Sequence, residues 1–258
     1  MCEECGCGEL EPEVHGHSHD HAHDHHHHHD NHSHGDSHSH AGETRVVRLE
    51  RKVLSRNDEI AARNREWLRE RNVTALNLIS SPGAGKTLLL ERTLEALRDR
   101  VPCAVITGDQ QTDNDARRLQ GKGAPVRQIE TISACHLDAE RVGALLPEVV
   151  TQDIRLLFIE NVGNLVCPSA FDLGESFKVA LLSATEGEDK PLKYPVLFSL
   201  APVVVLTKMD LAPHLDWDIS VCRNNLRNIR PGVFVFELSA RSGQGMNEWI
   251  EYLLKLST

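Results

Sequence analysis

The sequence predicts an α/β fold with a mostly parallel, doubly wound sheet. Short apolar runs, typical of strands buried on both faces, alternate with stretches of helical periodicity. The segment 80–87, SSPGAGKT, stands between one such run and a leucine-rich helical stretch. Residues 1–44 differ, because they contain 14 of the 16 histidines, no Lys or Arg and no aromatic residue. We therefore expect a disordered, metal-binding tail over 1–44 and one domain over 45–258.

Helices are predicted where apolar residues recur three or four positions apart. Val53, Ile60 and Trp67 recur at helical spacings among many charges, which predicts an amphipathic leading helix. Cys222 and Leu226 lie on the apolar face of a later helix. The predicted helices are 45–71, 86–100, a short one after the polar turn at 108–112, 138–150, 217–229 and 246–256.

Strands are predicted where short, mainly apolar runs stand between polar, Gly or Pro positions. Several of these runs are apolar on both faces, which is typical of strands covered by helices on both sides of a sheet. The predicted strands are 75–80, 103–107, 126–129, 156–160, 179–183, 203–207 and 233–238.

The segment SSPGAGKT has the composition and position of a phosphate-binding loop. Backbone N–H groups of such a turn, and the start of the helix after it, face a polyphosphate. Lys86 can reach the terminal phosphates, and Thr87 can offer its hydroxyl to Mg²⁺. The usual first glycine of the motif is Ser80 here. The residues expected to hold the phosphates are Gly83, Ala84, Gly85, Lys86, Thr87 and Leu88, and Lys86 is also a candidate catalytic residue.

The tetrapeptide TKMD at 207–210 follows a buried strand and predicts guanine binding. Ligands of open α/β sheets bind beyond the carboxyl ends of the strands. The Asp210 carboxylate can accept hydrogen bonds from the ring N–H and exocyclic amine of guanine, which selects GTP over ATP. The stem of Lys208 can lie along the base, and Ser239 or Ala240 could offer a backbone N–H to the guanine oxygen. The alternative to base binding is that Lys208 and Asp210 only form a charged turn at the end of the strand.

Magnesium requires carboxylates near the phosphates. Glu160 ends a buried strand, is a candidate catalytic residue, and begins a carboxylate-x-x-Gly step in which the Gly163 N–H can contact a terminal phosphate. Asp109 is the second candidate, although an acid at the start of a helix explains it too. No residue stands out as a water-positioning glutamine or an arginine finger, so we expect slow unaided hydrolysis.

Soft or borderline metal ligands occur at the N-terminus, in the His-rich stretch of the tail and within the domain. Cys2, Cys5 and Cys7 place three thiols in one short segment, which suits Ni²⁺, with Zn²⁺ or Cu⁺ as alternatives. The His-rich stretch from 15 to 40 should hold several ions loosely, unless it is simply a polar tail.

Within the domain, Cys135, His136 and Cys167 form a third candidate group, here called the inner trio. Three ligands are one short of a closed tetrahedral site, so water or a second subunit would complete it. The residues alone favour a metal site no more than ordinary packing. Cys103 and Cys222 lie on apolar faces and should be core residues.

The charge distribution argues against a nucleic-acid partner. All 28 Lys and Arg follow residue 44, neither in excess of the acids there nor clustered with aromatic residues, so the net charge of −10 belongs to the tail. No apolar run is long enough for a membrane span, and the first residues lack a secretory signal. We expect a cytoplasmic protein with thiols rather than disulfides.

The motifs, in this order, resemble those of the HypB family, GTPases that help insert nickel into nickel–iron hydrogenase. SSPGAGKT, GDQQTDNDA, ACHL at 134–137, ENVGNLVCP and TKMD carry the resemblance over essentially the whole chain. It implies a P-loop NTPase domain of the SIMIBI type, in which serine at position 80 is usual. It also implies that the inner trio is a metal site near a nucleotide-dependent homodimer interface, that the N-terminal cysteines bind nickel, and that the His-rich stretch stores it.

The resemblance further implies hydrogenase maturation proteins and the hydrogenase large subunit as partners. GTP and Mg²⁺ would order 160–163 and shift Cys167, so that nucleotide state controls metal affinity. Two other functions share these features. A urease-accessory nickel GTPase has the same architecture but uses a Cys-Pro-His step that is absent here. A nickel storage or detoxification protein would bind many ions without hydrolysing GTP.

Overall fold

The computed structural model describes residues 45–109, 114–131 and 135–257. The strands are β1 (Thr74–Ser80), β2 (Cys103–Asp109), β3 (Val126–Glu130), β4 (Leu156–Glu160), β5 (Phe177–Ser183), β6 (Val203–Thr207) and β7 (Phe234–Glu237). They form one seven-stranded sheet in the order β3-β2-β4-β1-β5-β6-β7, and every neighbouring pair is parallel. The predicted sheet is therefore confirmed, and it is parallel throughout. The predicted tail lies outside the described residues.

Helices cover both faces of this sheet. The helices are α1 (Arg45–Glu70), α2 (Lys86–Leu97), α3 (Asn114–Leu119), α4 (Ala139–Val149), α5 (Cys167–Ala170), α6 (Lys190–Lys193), α7 (Pro195–Leu200), α8 (Ile219–Ile229) and α9 (Met246–Leu256). Leucines of α2 and the apolar side of α9 pack on one face. On the other face, α1 and α4 cover one half of the sheet, while α7 and α8 cover the other half.

The strand order brings the predicted site segments to one edge. Because all strands are parallel, their carboxyl ends lie at the same edge, where ligands of this fold class bind. The loop 80–87 follows the central strand β1, and 160–163 follows its neighbour β4. The segments 207–210 and 239–241 follow β6 and β7. The order of strands therefore places the segments predicted to bind phosphate, magnesium and base along one rim.

The buried face of α1 differs from the prediction. Val53 is 53% exposed, so the predicted apolar stripe through Val53 was wrong. The buried positions are Asn57, Ala61, Asn64 and Leu68, and the predicted Ile60 and Trp67 are partly buried beside them. Two asparagines occupy the face because their amides bond backbone groups at the start of α4 and in the loop before β5. The spacing of apolar residues could not predict this buried face, because two of its residues are asparagines held by hydrogen bonds.

The remaining predicted strands and helices occur, with ends that differ by a few residues. The helices α5, α6 and α7 were not predicted, because one or two turns are too short to show a period and each has a proline in its first turn. Cys103 and Cys222 are buried in the core as predicted, and burial raises the pKa of each thiol to about 12. Across the described ranges, no helix has the length and apolar character needed to cross a membrane.

Candidate functional site

The loop after β1 is shaped to hold phosphates. Gly83 and Gly85 have φ of +73° and +96°, a left-handed conformation that favours glycine. A Cβ at either position would meet no described atom within 4 Å, so this backbone borders open space. Gly85 caps the N-terminus of α2, where N–H groups and the helix dipole attract anions. Ala84 is buried behind the loop, and Leu88 is half-buried in the first turn of α2. The predicted phosphate loop has the geometry of a P-loop.

Ser80 has a structural role that the motif alone does not reveal. The Lys86 ammonium donates a 2.8 Å hydrogen bond to Ser80 Oγ, and the Ser80 hydroxyl donates to the Ser81 carbonyl at 2.7 Å. Ser80 is fully buried and Lys86 is 9% exposed. Burial lowers the pKa of Lys86, while the nearby Glu160 opposes that shift. The serine therefore holds the lysine above the loop, and a polyphosphate would restore the favourable environment of its charge.

Thr87 and Glu160, the predicted magnesium ligands, lie against each other beside the phosphate loop. Thr87 Oγ1 donates a 2.7 Å hydrogen bond to Glu160 Oε1. Glu160 is 3% exposed, and burial raises the pKa of its carboxyl to about 7, with a smaller contribution from Asp115. Its second oxygen, Oε2, has no hydrogen-bond partner among the described residues. An orphaned buried carboxylate oxygen beside a hydroxyl and a phosphate loop fits Mg²⁺, which would supply electrostatic stabilisation of the phosphates.

The segment after Glu160 touches the phosphate loop directly. A Cβ at Gly163 would lie 3.1 Å from Pro82 Cα, a contact tighter than side chains normally make. Glycine permits this close approach of two backbones, which any side chain would force apart by a few tenths of an ångström. The Asn161 N–H donates to the Leu78 carbonyl at 3.1 Å, which continues the β4–β1 pairing into the segment. The predicted Gly163 thus lies beside the loop that would hold the terminal phosphate.

Asp109 ends β2, in register with Glu130 of β3, but its side chain lies outside the structural description. Residues 110–113 also lie outside the structural description. Asp115, in the first turn of α3, lies close enough to influence the pKa of both Lys86 and Glu160. The negative charge of Asp115 therefore acts on both Lys86 and Glu160.

The TKMD segment is joined to the phosphate loop and to the strand beside it. Thr207 Oγ1 donates a 2.7 Å hydrogen bond to the Ala84 carbonyl. Lys208 has φ of +57°, which is uncommon for a residue with a side chain. Asp210 is half-buried. The Ser239 N–H already donates to the Gln244 carbonyl at 2.8 Å, which leaves the Ala240 amide for a ligand.

The structure brings the inner trio together. The ligand atoms of Cys135, His136 and Cys167 all lie within 4.8 Å of one another, although 167 is far from 135 in sequence. Cys135 Sγ lies 3.7 Å from His136 Nδ1, and both cysteines are partly buried. Two thiols and an imidazole fit one coordination sphere of a soft or borderline ion such as Ni²⁺ or Zn²⁺. Cys2, Cys5 and Cys7 lie outside the described residues.

Phe171 positions the imidazole of this trio and was not predicted. Its ring stacks on His136 with centroids 3.8 Å apart and planes at 28°. The phenylalanine follows α5, the short helix that begins at Cys167. One turn of chain therefore supplies both a ligand and the surface that orients another ligand. No pattern in the sequence marks such a contact.

The fold, the P-loop, and the buried Glu160 beside it define a nucleotide-binding protein of the doubly wound α/β class. The family model described as "CobW/HypB/UreG, nucleotide-binding domain" matches residues 74–237. The chain belongs to this family and, within it, to the HypB group. The hydrogenase maturation factor HypB of Azotobacter vinelandii is 53% identical over 82% of this chain and 70% of its own length. The corresponding factor of Escherichia coli K12 is 42% identical over 98% of each chain.

Solved structures agree with this assignment. The crystal structure of HypB from Helicobacter pylori in complex with nickel is 35% identical, with a TM-score of 0.74 over 78% of this chain and 95% of that one. The resemblance inferred from the motifs is therefore confirmed, as are the P-loop class and the fold.

Proposed function

We propose that the chain is a GTP-hydrolysing metallochaperone that binds nickel and delivers it during maturation of nickel–iron hydrogenase. The observation that carries the proposal is that one short segment bears both functions. Glu160 and Gly163 face the phosphate loop, while Cys167 completes the inner trio seven residues after Glu160. Residues that sense a terminal phosphate and a metal ligand thus share one continuous stretch of chain.

The residues of the P-loop and of the TKMD segment support the proposal that the bound nucleotide is GTP with Mg²⁺. Asp210 supplies the carboxylate that distinguishes guanine from adenine, Lys208 lies beside it, and Ala240 supplies the amide. Thr87 and Glu160 would hold Mg²⁺, with Asp109 as a further candidate ligand. Lys86 would neutralise charge on the transferred phosphate. Slow hydrolysis is proposed because the sequence offers no evident arginine finger or water-positioning glutamine.

The inner trio supports the proposal that the bound ion can be transferred to another protein. A site with three protein ligands keeps a position open, in contrast to a closed structural site with four. The partly buried trio would gain a further ligand from a second copy of the chain or from water, which supports a nucleotide- or metal-dependent homodimer. Nickel is the proposed cargo, and Zn²⁺ is the alternative ion for the same donors. The cysteines and histidines of residues 1–44 would bind additional nickel.

Base selectivity can be tested by exchanging the hydrogen-bonding pattern of Asp210. Asp210→Asn replaces one of the two acceptor oxygens with an NH₂ donor, which opposes the exocyclic amine of guanine and suits the carbonyl that xanthine has at that position. We expect GTP affinity to fall about 10- to 100-fold and xanthosine triphosphate affinity to rise. Asp216→Asn, in the exposed loop that follows, is the matched control and should change neither affinity. An Asp210→Asn protein that binds GTP like the wild type would refute the assignment.

Measuring GTP turnover together with nickel stoichiometry tests the function as a whole. The proposal requires magnesium-dependent phosphate release and retention of nickel by thiols in the same preparation. Many bound ions without any turnover would instead indicate a nickel store. The delivery step requires transfer of nickel to the hydrogenase large subunit or to another maturation protein.

A further inference from the structure

One buried side chain bonds both of the segments that carry the two functions. Asn161 is 1% exposed and follows Glu160. Its Oδ1 accepts a 2.9 Å hydrogen bond from the Val162 N–H, in the segment that approaches the phosphate loop. The same oxygen accepts a 3.3 Å hydrogen bond from the Leu137 N–H, one residue after His136. A single amide oxygen therefore joins the phosphate side of the site to the inner trio.

The orientation of this amide is fixed by a buried chain of donors and acceptors. Asn161 Nδ2 donates to Asn77 Oδ1 at 3.2 Å, and Asn77 Nδ2 donates to Glu175 Oε1 at 3.2 Å. Glu175 Oε1 accepts from both Asn77 Nδ2 and Lys178 Nζ, so Asn77 presents its oxygen to Asn161. Asn161 must then present its oxygen to the two backbone N–H groups. The arrangement leaves no alternative rotation of either amide.

The hydrogen-bond network also reaches the inner trio from its Glu175 end. Lys178 donates a 2.6 Å hydrogen bond to Glu175 Oε1 and a 3.1 Å hydrogen bond to the Phe171 carbonyl. Phe171 is the residue that stacks on His136. The network thus holds the His136 segment at two points, through Leu137 and through Phe171. Both points depend on buried or partly buried groups.

We propose that Asn161 is a positioning residue that couples nucleotide state to metal affinity at the inner trio. The inference rests on the proposed function and names how its two halves communicate. When the Gly163 backbone is drawn toward a terminal phosphate, the neighbouring Val162 N–H moves relative to Asn161 Oδ1. The hydrogen bonds that Asn161 Oδ1 accepts from Val162 and Leu137 then change in length relative to each other. Because Leu137 is bonded to this oxygen, the positions of the neighbouring Cys135 and His136 change with it. Reciprocally, a metal that fixes 135–137 alters the affinity for nucleotide.

The test measures nickel affinity in two nucleotide states. The full chain carries Cys2→Ala, Cys5→Ala and Cys7→Ala, so that thiolate-to-nickel absorption reports Cys135 and Cys167, the described cysteines that are not buried in the core. Ni²⁺ is titrated against a chelator in GDP and in a non-hydrolysable GTP analogue. We expect the two dissociation constants to differ by at least about 5-fold. With Asn161→Ala the two constants should agree within about 2-fold.

Asn57→Ala is the matched control. Asn57 is also buried and its Oδ1 accepts from a nearby backbone N–H, that of Ala139, at 2.9 Å. Its other hydrogen bond, in which Nδ2 donates to the Asp172 carbonyl at 2.8 Å, does not involve residues 160–163. This variant should keep the wild-type ratio even where it weakens the fold. An Asn161→Ala protein that keeps the wild-type ratio would overturn the inference.

A measurement on the unsubstituted chain covers the case in which Asn161→Ala does not fold. Hydrogen exchange at the Leu137 amide should differ between the GDP and GTP-analogue states, and equal exchange would overturn the inference. If nickel binding and GTP turnover are present but the wild-type affinities are equal, the coupling is refuted and the proposed function stands. Absence of turnover or of nickel binding would refute the proposed function itself.

Discussion

Glu160→Gln should stabilise the nucleotide-free protein at neutral and alkaline pH. Burial raises the pKa of the Glu160 carboxyl from 4.5 to about 7. The folded protein therefore favours the protonated acid, whereas the unfolded chain ionises near 4.5. The stability associated with this group is fully present below pH 4.5 and is lost as the pH rises to about 7. A difference of this size corresponds to about 3 kcal/mol in the free energy of unfolding.

Glutamine removes the titration and keeps the oxygen that accepts from Thr87. Near pH 5 the two proteins should have similar free energies of unfolding. At pH 8 the variant should be more stable by up to about 3 kcal/mol. Urea unfolding in chelator, without nucleotide, between pH 5 and 8 measures this difference. The histidines of residues 1–44 are common to both proteins, so their titration cancels in the comparison.

Glu59→Gln, an exposed position on α1, is the control and should change the free energy of unfolding by less than about 0.5 kcal/mol at every pH. Adding Mg²⁺ and GDP should reverse the order at pH 8, because only the carboxylate gains a cation. A difference between wild type and Glu160→Gln that does not vary with pH would refute the reasoning.

Three further substitutions test other contacts of the structure. Gly163→Ala places a methyl 3.1 Å from Pro82 Cα, so it should hinder the approach of the Gly163 N–H to a terminal phosphate and weaken binding of a GTP analogue relative to GDP. We expect a loss of about 10-fold, which corresponds to about 1.4 kcal/mol. Equal losses for both nucleotides in calorimetry would contradict this. Phe171→Ala removes the ring stacked at 3.8 Å on the trio's imidazole and should weaken nickel binding about 2- to 12-fold in the charge-transfer titration, whereas an unchanged affinity would exclude a role for the stack. Thr93→Val leaves the buried indole N–H of Trp249 without its 3.0 Å acceptor and should cost about 1–3 kcal/mol in urea unfolding; a neutral effect would show that another acceptor takes over.

The nucleotide side of the site could be predicted largely from sequence. A P-loop is continuous in the chain, and glycines with left-handed backbone leave a direct signature at positions 83 and 85. Glu160 and Asp210 each stand at the end of an apolar run, so the parallel sheet places them at one edge. The role of Ser80 could not be derived, because it depends on where the Lys86 side chain turns back after the loop.

The metal side depended on contacts between distant segments. Spacing alone left the inner trio undecided, since 135 and 167 approach only when β4 and α5 are in place. Asn57, Asn64 and Asn161 were not predicted for a related reason. Each bonds backbone groups far away in sequence, and polar residues in a helix or at a strand end are ordinarily exposed. Apolar periodicity predicts cores, but it does not reveal buried polar networks.

The central claim is that GTP hydrolysis changes nickel binding at Cys135, His136 and Cys167. A single turnover of GTP by the nickel-loaded chain, with Cys2, Cys5 and Cys7 replaced by alanine, tests it most directly. Phosphate release and the thiolate-to-nickel absorbance are recorded in the same sample. We predict that the thiolate-to-nickel absorbance changes with the same rate constant as phosphate release, and that Cys167→Ala abolishes this change. An absorbance that stays constant while phosphate is released would contradict the account.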